Sequence, residues 1–226
     1  MQLTYYGHSC FSVKAGGKSL LFDPFITANP LASAIDVDEI KADYIFVSHG
    51  HYDHTIDIVR IARRTGAKVL GNWELNDWFN KSGLQNTHPI NPGGQLTFDF
   101  GKVKCVTAIH SSSLQDGSYA GTACGFVIQS MDGVFYYSGD TALTLDMQLI
   151  VEWALPGFAV LPIGDDLTMG VDDAIRAAKW LGVKHVVGVH YDTFPFIKID
   201  HENAIASFNR ADLTLHLPAI GSTIDL

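Results

Sequence analysis

The chain reads as an α/β (α+β) fold: a four-layer αββα sandwich in which two mixed β-sheets pack face to face with helices outside. Three observations predict it. The 226 residues are 47% hydrophobic and 17% charged, enough to bury a sizeable core in one domain spanning 1–226. The chain falls into two blocks, each opening with a meander of short strands and continuing as alternating strands and helices. No linker or low-complexity run separates the blocks, and no repeat of fixed period occurs.

The first block starts with strands at Leu3 to Tyr6 and Cys10 to Val13, then Ser19 to Phe22 after the Gly16-Gly17 turn, a hairpin signal. Tyr44 to Val47 is an apolar β-branched and aromatic run, hence a buried strand, and it stops at Ser48. From Thr55 to Ala62, apolar residues at 56, 58, 59, 61 and 62 trace one helical face. A strand at Lys68 to Leu70 and a helix over Trp73 to Lys81 follow, then Pro- and Gly-rich turns around Pro89 to Gly94. The second block has strands at Gln95 to Phe98, Val103 to Ile109, Cys124 to Gln129 and Val134 to Tyr137, the last two joined by Met131-Asp132-Gly133. Helices at Leu145 to Trp153, Asp172 to Leu181 and His201 to Phe208 then alternate with strands at Ala159 to Leu161, His185 to Val189 and Leu213 to Leu215.

Composition excludes several classes. Fifteen Lys and Arg against 24 Asp and Glu give a formal net charge of −9, without the Lys/Arg footprint that counterion release on nucleic acid or an anionic membrane needs. The start, Met1-Gln2-Leu3-Thr4-Tyr5-Tyr6-Gly7-His8, has no basic or apolar signal region, and no segment is apolar enough to span a membrane. Cys10, Cys105 and Cys124 are an odd set at no metal-ligand spacing, so they are expected to be small buried hydrophobes in a reducing cytoplasm. The partner expected is a small-molecule substrate, and a homo-oligomer is compatible with the sequence.

The most informative stretch is Ser48-His49-Gly50-His51-Tyr52-Asp53-His54, at the junction of a buried strand and a helix. Four metal-competent side chains lie within it, and imidazole nitrogen with carboxylate oxygen suits Zn²⁺ and other first-row divalent ions. On leaving the strand, His49 and His51 point to one side at period two and can share an ion, while the helix start turns Asp53 and His54 towards a second. These four are too few for two ions. His110, Asp140 and His190 each follow an apolar strand and open a loop, so all three could converge with the array at one sheet edge.

With these residues the sequence resembles the metallo-β-lactamase superfamily, whose pattern is His-x-His-x-Asp-His followed by a His, an Asp and a final His, each after a strand. It is similar in particular to a bacterial branch of metal-dependent hydrolases (UPF0173-like) near the ascorbate-6-phosphate lactonase-like group. Gly7-His8-Ser9, Phe22-Asp23-Pro24, His110-Ser111-Ser112, Gly139-Asp140-Thr141, Pro162-Ile163-Gly164-Asp165, Thr168-Met169-Gly170 and His190-Tyr191-Asp192-Thr193-Phe194-Pro195 carry that likeness. Asp166-Leu167 departs from it, standing where an aromatic usually precedes Thr-Met-Gly. The resemblance implies that His49, His51 and His110 hold one ion, that Asp53, His54 and His190 hold the other, and that Asp140 bridges both.

Other residues keep two readings each. His8 can line the site entrance or serve as a structural histidine. Asp23 can accept the second N–H of a ligand histidine or cap a turn. Asp165 can lie near the metals or in a solvated loop. Tyr191 and Thr193 can donate to a substrate oxygen, with core packing the alternative for the tyrosine. His88, His185, His201 and His216 show no partner pattern.

Two ions about 3.5–4 Å apart can share a water, lower its pKa and present it to a carbonyl or phosphoryl oxygen. The expected activity is a metal-dependent hydrolase using a metal-activated water or hydroxide at a dinuclear site, on a small ester, lactone or phosphate-bearing metabolite. Asp53 is the expected catalytic residue, orienting the water or taking its proton while serving as a ligand. Zinc is the expected metal, with Mn, Fe, Co or Ni accepted by similar shells. The alternatives are a phosphodiesterase or nuclease of the same fold, or a metal-binding protein without hydrolytic activity. No Gly-x-Ser-x-Gly elbow or nucleotide-binding Gly-rich loop supports other chemistry.

Overall fold

The computed structural model describes residues 1–226 and contains two seven-stranded mixed sheets. The first holds β1 (Gln2–Gly7), β2 (Cys10–Ala15), β3 (Lys18–Phe22), β4 (Tyr44–Phe46), β5 (Lys68–Gly71) and β6 (Thr87–Pro89) in that spatial order. The second runs, in spatial order from one edge, β7 (Gln95–Phe98), β8 (Gly101–Thr107), β9 (Cys124–Ser130), β10 (Gly133–Tyr137), β11 (Phe158–Pro162), β12 (His185–Val189) and β13 (Thr214–His216). Each sheet begins antiparallel and becomes parallel, from β3 in the first and β10 in the second. The change coincides with the point where hairpins give way to helical crossovers.

Alternation along the strands explains the layering. Phe11, Leu20, Phe22, Phe46 and Leu70 face the second sheet within one core, whereas their neighbours Cys10, Leu21, Ile45 and Val69 face outward against Ile58, Ile61, Leu75 and Phe79. These last four belong to α2 (Ile58–Thr65) and α3 (Trp73–Lys81), which cover the first sheet. Phe11, Phe22 and Phe46 stack on adjacent strands at 4.6 and 4.9 Å, and Phe46 meets Phe126 of the second sheet at 5.2 Å. On the far side, α5 (Val171–Leu181) and α6 (His201–Arg210) bury Ala174, Ala177, Ala178, Ala204 and Phe208. The four-layer expectation holds.

Three expectations need correction. The helix expected over 55–62 is two, α1 (Tyr52–Thr55) and α2, because the Asp57 carboxylate accepts from Ile26 N, Thr27 N and Thr27 Oγ1 at 2.7, 2.9 and 2.6 Å instead of capping α2. The helix expected over 145–153 is a 3-10 turn at Leu145–Leu149 followed by α4 (Ile150–Trp153). The two blocks are also not two sheets, since β14 (Thr223–Asp225) returns to pair with β1 in the first sheet, Ile224 opposite Leu3. Like β6, it is an edge strand of three residues, too short for alternation to reveal. All three cysteines are free and buried, and no helix is long and apolar enough to cross a membrane.

Candidate metal centre

Four strands deliver the ligand-type side chains to one edge of the sandwich. After β4 the chain passes through Ser48 and His49 to His51, whose extended backbone (φ −60°, ψ 150°) precedes α1, and that single helical turn re-aims Asp53 and His54. His110 follows β8, Asp140 follows β10, and His190 follows β12 directly. All seven converge. The Oδ2 oxygen of Asp140 lies 2.9 Å from His190 Nε2, 3.2 Å from His54 Nε2, 3.6 Å from His110 Nε2 and 3.9 Å from His49 Nε2.

Around this shared oxygen lie two groups of ligand-type atoms, and Asp23 with His49 and His54 forms a third that overlaps both. His49, His51 and His110 form one, with His49 Nε2 and His51 Nδ1 facing each other at 2.9 Å. Asp53, His54 and His190, together with His8, form the other. Within each group one ligand atom per residue lies within 4.8 Å of the rest.

Electrostatics follow burial and charge. Burial and the positive field of neighbouring histidines push His49 well below the ordinary histidine value, and burial lowers His51 and His110 too. Burial opposes a charge on His54 as well, but Asp140, Asp23 and Asp53 outweigh it and hold His54 well above the usual range. Burial would raise Asp140, yet His190 and His54 keep its carboxyl well below the carboxylate range. The site is thus built around stable carboxylates and mostly neutral imidazoles, the forms that coordinate metal.

Two further carboxylate contacts fix the rings. Asp23, fully buried, accepts from Ser48 N (2.8 Å), the Ser48 hydroxyl, His54 Nδ1 (2.9 Å) and the Tyr137 hydroxyl (2.6 Å). It therefore orients His54 with Nε2 towards Asp140, which matches the acceptor role anticipated for it. On the other side His8 Nε2 lies 3.0 Å from Asp53 Oδ2, and His8 Nδ1 lies 3.0 Å from Thr193 Oγ1. Burial lowers His8 to about 4, and its neutral ring has a single N–H. Because Asp53 is a carboxylate, that N–H sits on Nε2 and donates to it, which leaves Nδ1 as the acceptor facing the Thr193 hydroxyl, a hydroxyl that also lies 3.3 Å from the Tyr191 carbonyl oxygen.

The backbone is strained here as well. Of seven non-glycine residues with positive φ, His8 (54°), Asp23 (40°), Asp165 (61°), Asp166 (59°), His190 (56°) and Asp192 (64°) lie in loops at or beside this edge. Asp165 is not brought to the ligands: it is exposed, turns back to Met169 and lines a separate cavity of about 500 Å³ with Arg176 and Lys198. Tyr191 is buried against Tyr5, ring centroids 6.3 Å apart, in a packing position. His185 and His216 pair with each other at 3.1 Å across β12 and β13, and His201 meets Asp192 at 2.6 Å, partners that the sequence did not reveal. Ser48, Tyr137 and Ser111, which contacts His51 Nε2 at 3.3 Å, also escaped sequence reasoning. Each is within three residues of a ligand in the chain, the one signal available.

The donor set fits divalent metal. His54 Nε2 and Asp140 Oδ1 are buried without a hydrogen-bond partner, and four imidazole nitrogens surround one carboxylate oxygen. Nitrogen and oxygen donors without thiolate suit zinc and its first-row neighbours.

Comparison with known proteins gives the family and the fold. The family model described as "Beta-lactamase superfamily domain" matches residues 18–191. The fold and the site define a metal-dependent hydrolase of the metallo-β-lactamase fold. A "UPF0173 metal-dependent hydrolase" of Methylacidiphilum infernorum is 50% identical over 226 residues, covering 100% of both chains. One of Flavobacterium johnsoniae is 47% identical with the same coverage. The solved structure of Igni18, a metallo hydrolase from the archaeon Ignicoccus hospitalis, superposes with a TM-score of 0.88 at 34% identity, covering 99% of this chain and 97% of that one. The chain belongs to the UPF0173 family of metal-dependent hydrolases within the metallo-β-lactamase superfamily.

Proposed function

We propose that the chain hydrolyses a small ester, lactone or phosphate-bearing metabolite at a dinuclear centre. His49, His51 and His110 would hold one divalent ion, Asp53, His54 and His190 would hold the other, and Asp140, whose Oδ2 faces both groups, would serve both. The observation that carries this reading is the single Asp140 oxygen with histidine nitrogens of both groups around it, between 2.9 and 3.9 Å. Zinc suits five imidazoles and two carboxylates, and the free buried cysteines suit a reducing cytoplasm.

Bound ions of this kind lower the pKa of water and polarise the substrate oxygen. The chain's own residues supply the rest. Asp53, one-fifth exposed and with Oδ2 3.0 Å from His8 Nε2, would orient the attacking water and take its proton. The water oxygen bonds to the acyl carbon, the carbon–oxygen bond breaks, and the proton passes to the leaving alkoxide.

Elemental analysis of the native protein, with ester, lactone, thioester and phosphodiester substrates offered to the same sample, tests this. About two divalent ions per chain and turnover lost on chelation are expected. A metal content near zero overturns the reading. Asp53→Ala should abolish turnover more completely than Asp23→Ala, and equal residual activities would remove Asp53 from the proton-transfer role.

A further inference from the structure

The two sides of the metal centre differ in their walls. Beside the Asp53, His54 and His190 group, rings form a continuous arc: Tyr52 against Phe25 at 5.8 Å, Phe25 against His8 at 5.5 Å, His8 against Phe194 at 5.6 Å, and Phe194 against Phe196 at 5.7 Å. Phe25 and His8 are buried, Phe194 is partly exposed, and the ends are open, Tyr52 43% and Phe196 55% exposed. His8, at its centre, donates to Asp53, so the arc passes directly beside the carboxylate that faces the reacting water.

Cations are missing from the same edge. The segments 5–11, 22–29, 47–55, 108–113, 138–143, 163–171 and 189–197 contain no Lys or Arg. The next residue, Lys198, lines the neighbouring cavity with Asp165, Asp172 and Asp200. A phosphate dianion carried away from the reacting bond would find no fixed positive charge here and would sit near several carboxylates. A flat apolar group would instead find the accessible rings of Tyr52, Phe194 and Phe196, held in place by the buried Phe25 and His8, at little ordering cost.

We propose that Tyr52, Phe194 and Phe196, backed by the buried rings of Phe25 and His8, select substrates whose non-reacting part is uncharged and apolar, an aryl or branched alkyl group on an ester or lactone carbonyl. Phosphorylated metabolites are then poor substrates. The inference rests on the hydrolase reading and narrows its substrate class.

The test separates recognition from turnover. Benzohydroxamate and acetohydroxamate both chelate a divalent ion and differ only in a phenyl against a methyl group. Their affinities for the metal-loaded protein are measured by calorimetry, with inorganic phosphate as a third probe. Benzohydroxamate should bind about 10-fold or more tightly than acetohydroxamate, in line with the burial of one ring. That ratio should fall at least about fivefold in Phe194→Ala and Phe196→Ala, with metal content at the wild-type level as evidence that the site is intact. Lys198→Ala should leave the ratio as it is.

The same samples are then given 4-nitrophenyl benzoate, 4-nitrophenyl acetate and 4-nitrophenyl phosphate, each rate normalised to its uncatalysed hydrolysis. A benzoate preference that falls with the affinity ratio supports the arc as a specificity wall. Equal affinities for the two hydroxamates overturn the proposal even where esters are hydrolysed, as does tighter binding of phosphate or faster turnover of 4-nitrophenyl phosphate. An affinity ratio without turnover of any ester instead removes the hydrolase reading and leaves the apolar recognition standing.

Discussion

The two halves of the metal centre are built from the same residue types yet are supported very differently. The half formed by His49, His51 and His110 is more open: His49 is buried with Ser48 Oγ 3.0 Å from its Nδ1, but His51 and His110 are only half-buried and the exposed Ser111 is the hydroxyl contact of His51. The half formed by Asp53, His54 and His190 is closed in, with both histidines buried, His54 fixed by Asp23, and Asp53 fixed by His8, which itself meets Thr193. The difference teaches where rigidity is concentrated. Fixed outer partners keep a ligand in one orientation and raise metal affinity, so substitutions behind the closed half should cost more than those behind the open half.

The largest effect should come from erasing the element the halves share. Asp140→Ala removes the oxygen that faces both groups and leaves four imidazole nitrogens without the carboxylate they surround. Turnover should fall by about 10³-fold or more, and metal content should drop below two ions per chain by elemental analysis. Retention of two tightly held ions would mean that the halves are independent sites.

Asp23 comes next because it is a buried hub. Asp23→Ala leaves Ser48 N–H, the Ser48 and Tyr137 hydroxyls and His54 Nδ1 without their acceptor. The loss should be about 3 kcal/mol or more by denaturant titration, with metal affinity reduced about 10- to 100-fold. A stability loss without an affinity loss would reduce Asp23 to a structural role and weaken the contrast between the halves. Chelation of the wild-type protein should act in the same direction by mass action. Each ion held at 100 times its dissociation constant contributes about 2.7 kcal/mol, so Tm should fall by several degrees on metal removal and recover on re-addition.

Much of this contrast was legible in the sequence on one side and hidden on the other. The seven converging side chains each follow a strand, and their residue types and spacing by themselves announce metal chemistry. The αββα layering was equally accessible, because strand alternation such as Cys10/Phe11 and Ile45/Phe46 sorts residues into two cores. The outer contacts were not. Asp23 meets Tyr137 across 114 positions, and His8 meets Thr193 across 185, pairings that no local periodicity encodes. Asp23 could be named as an acceptor from the Phe22-Asp23-Pro24 signature, but its four donors required the fold. The edge strands β6 and β14 were hidden for the opposite reason, being too short to show any pattern.

Thr193 and Ser111 give the sharpest test, since each hydroxyl contacts one ring nitrogen, in opposite halves. Thr193 is buried and its hydroxyl is 3.0 Å from His8 Nδ1, whereas Ser111 is exposed and 3.3 Å from His51 Nε2. Thr193→Val keeps the shape and removes the hydroxyl, leaving His8 Nδ1 buried without a partner and ending the contact with the Tyr191 carbonyl. A loss of about 1–2 kcal/mol in stability and about 3- to 10-fold in affinity for one of the two ions should follow, with Thr193→Ser restoring both. Ser111→Ala removes a solvent-accessible contact that water can replace, so stability should stay within about 0.5 kcal/mol and metal affinity within about twofold. If the two substitutions cost the same, the closed half owes nothing to its outer partners, and the distinction between the halves is one of exposure alone.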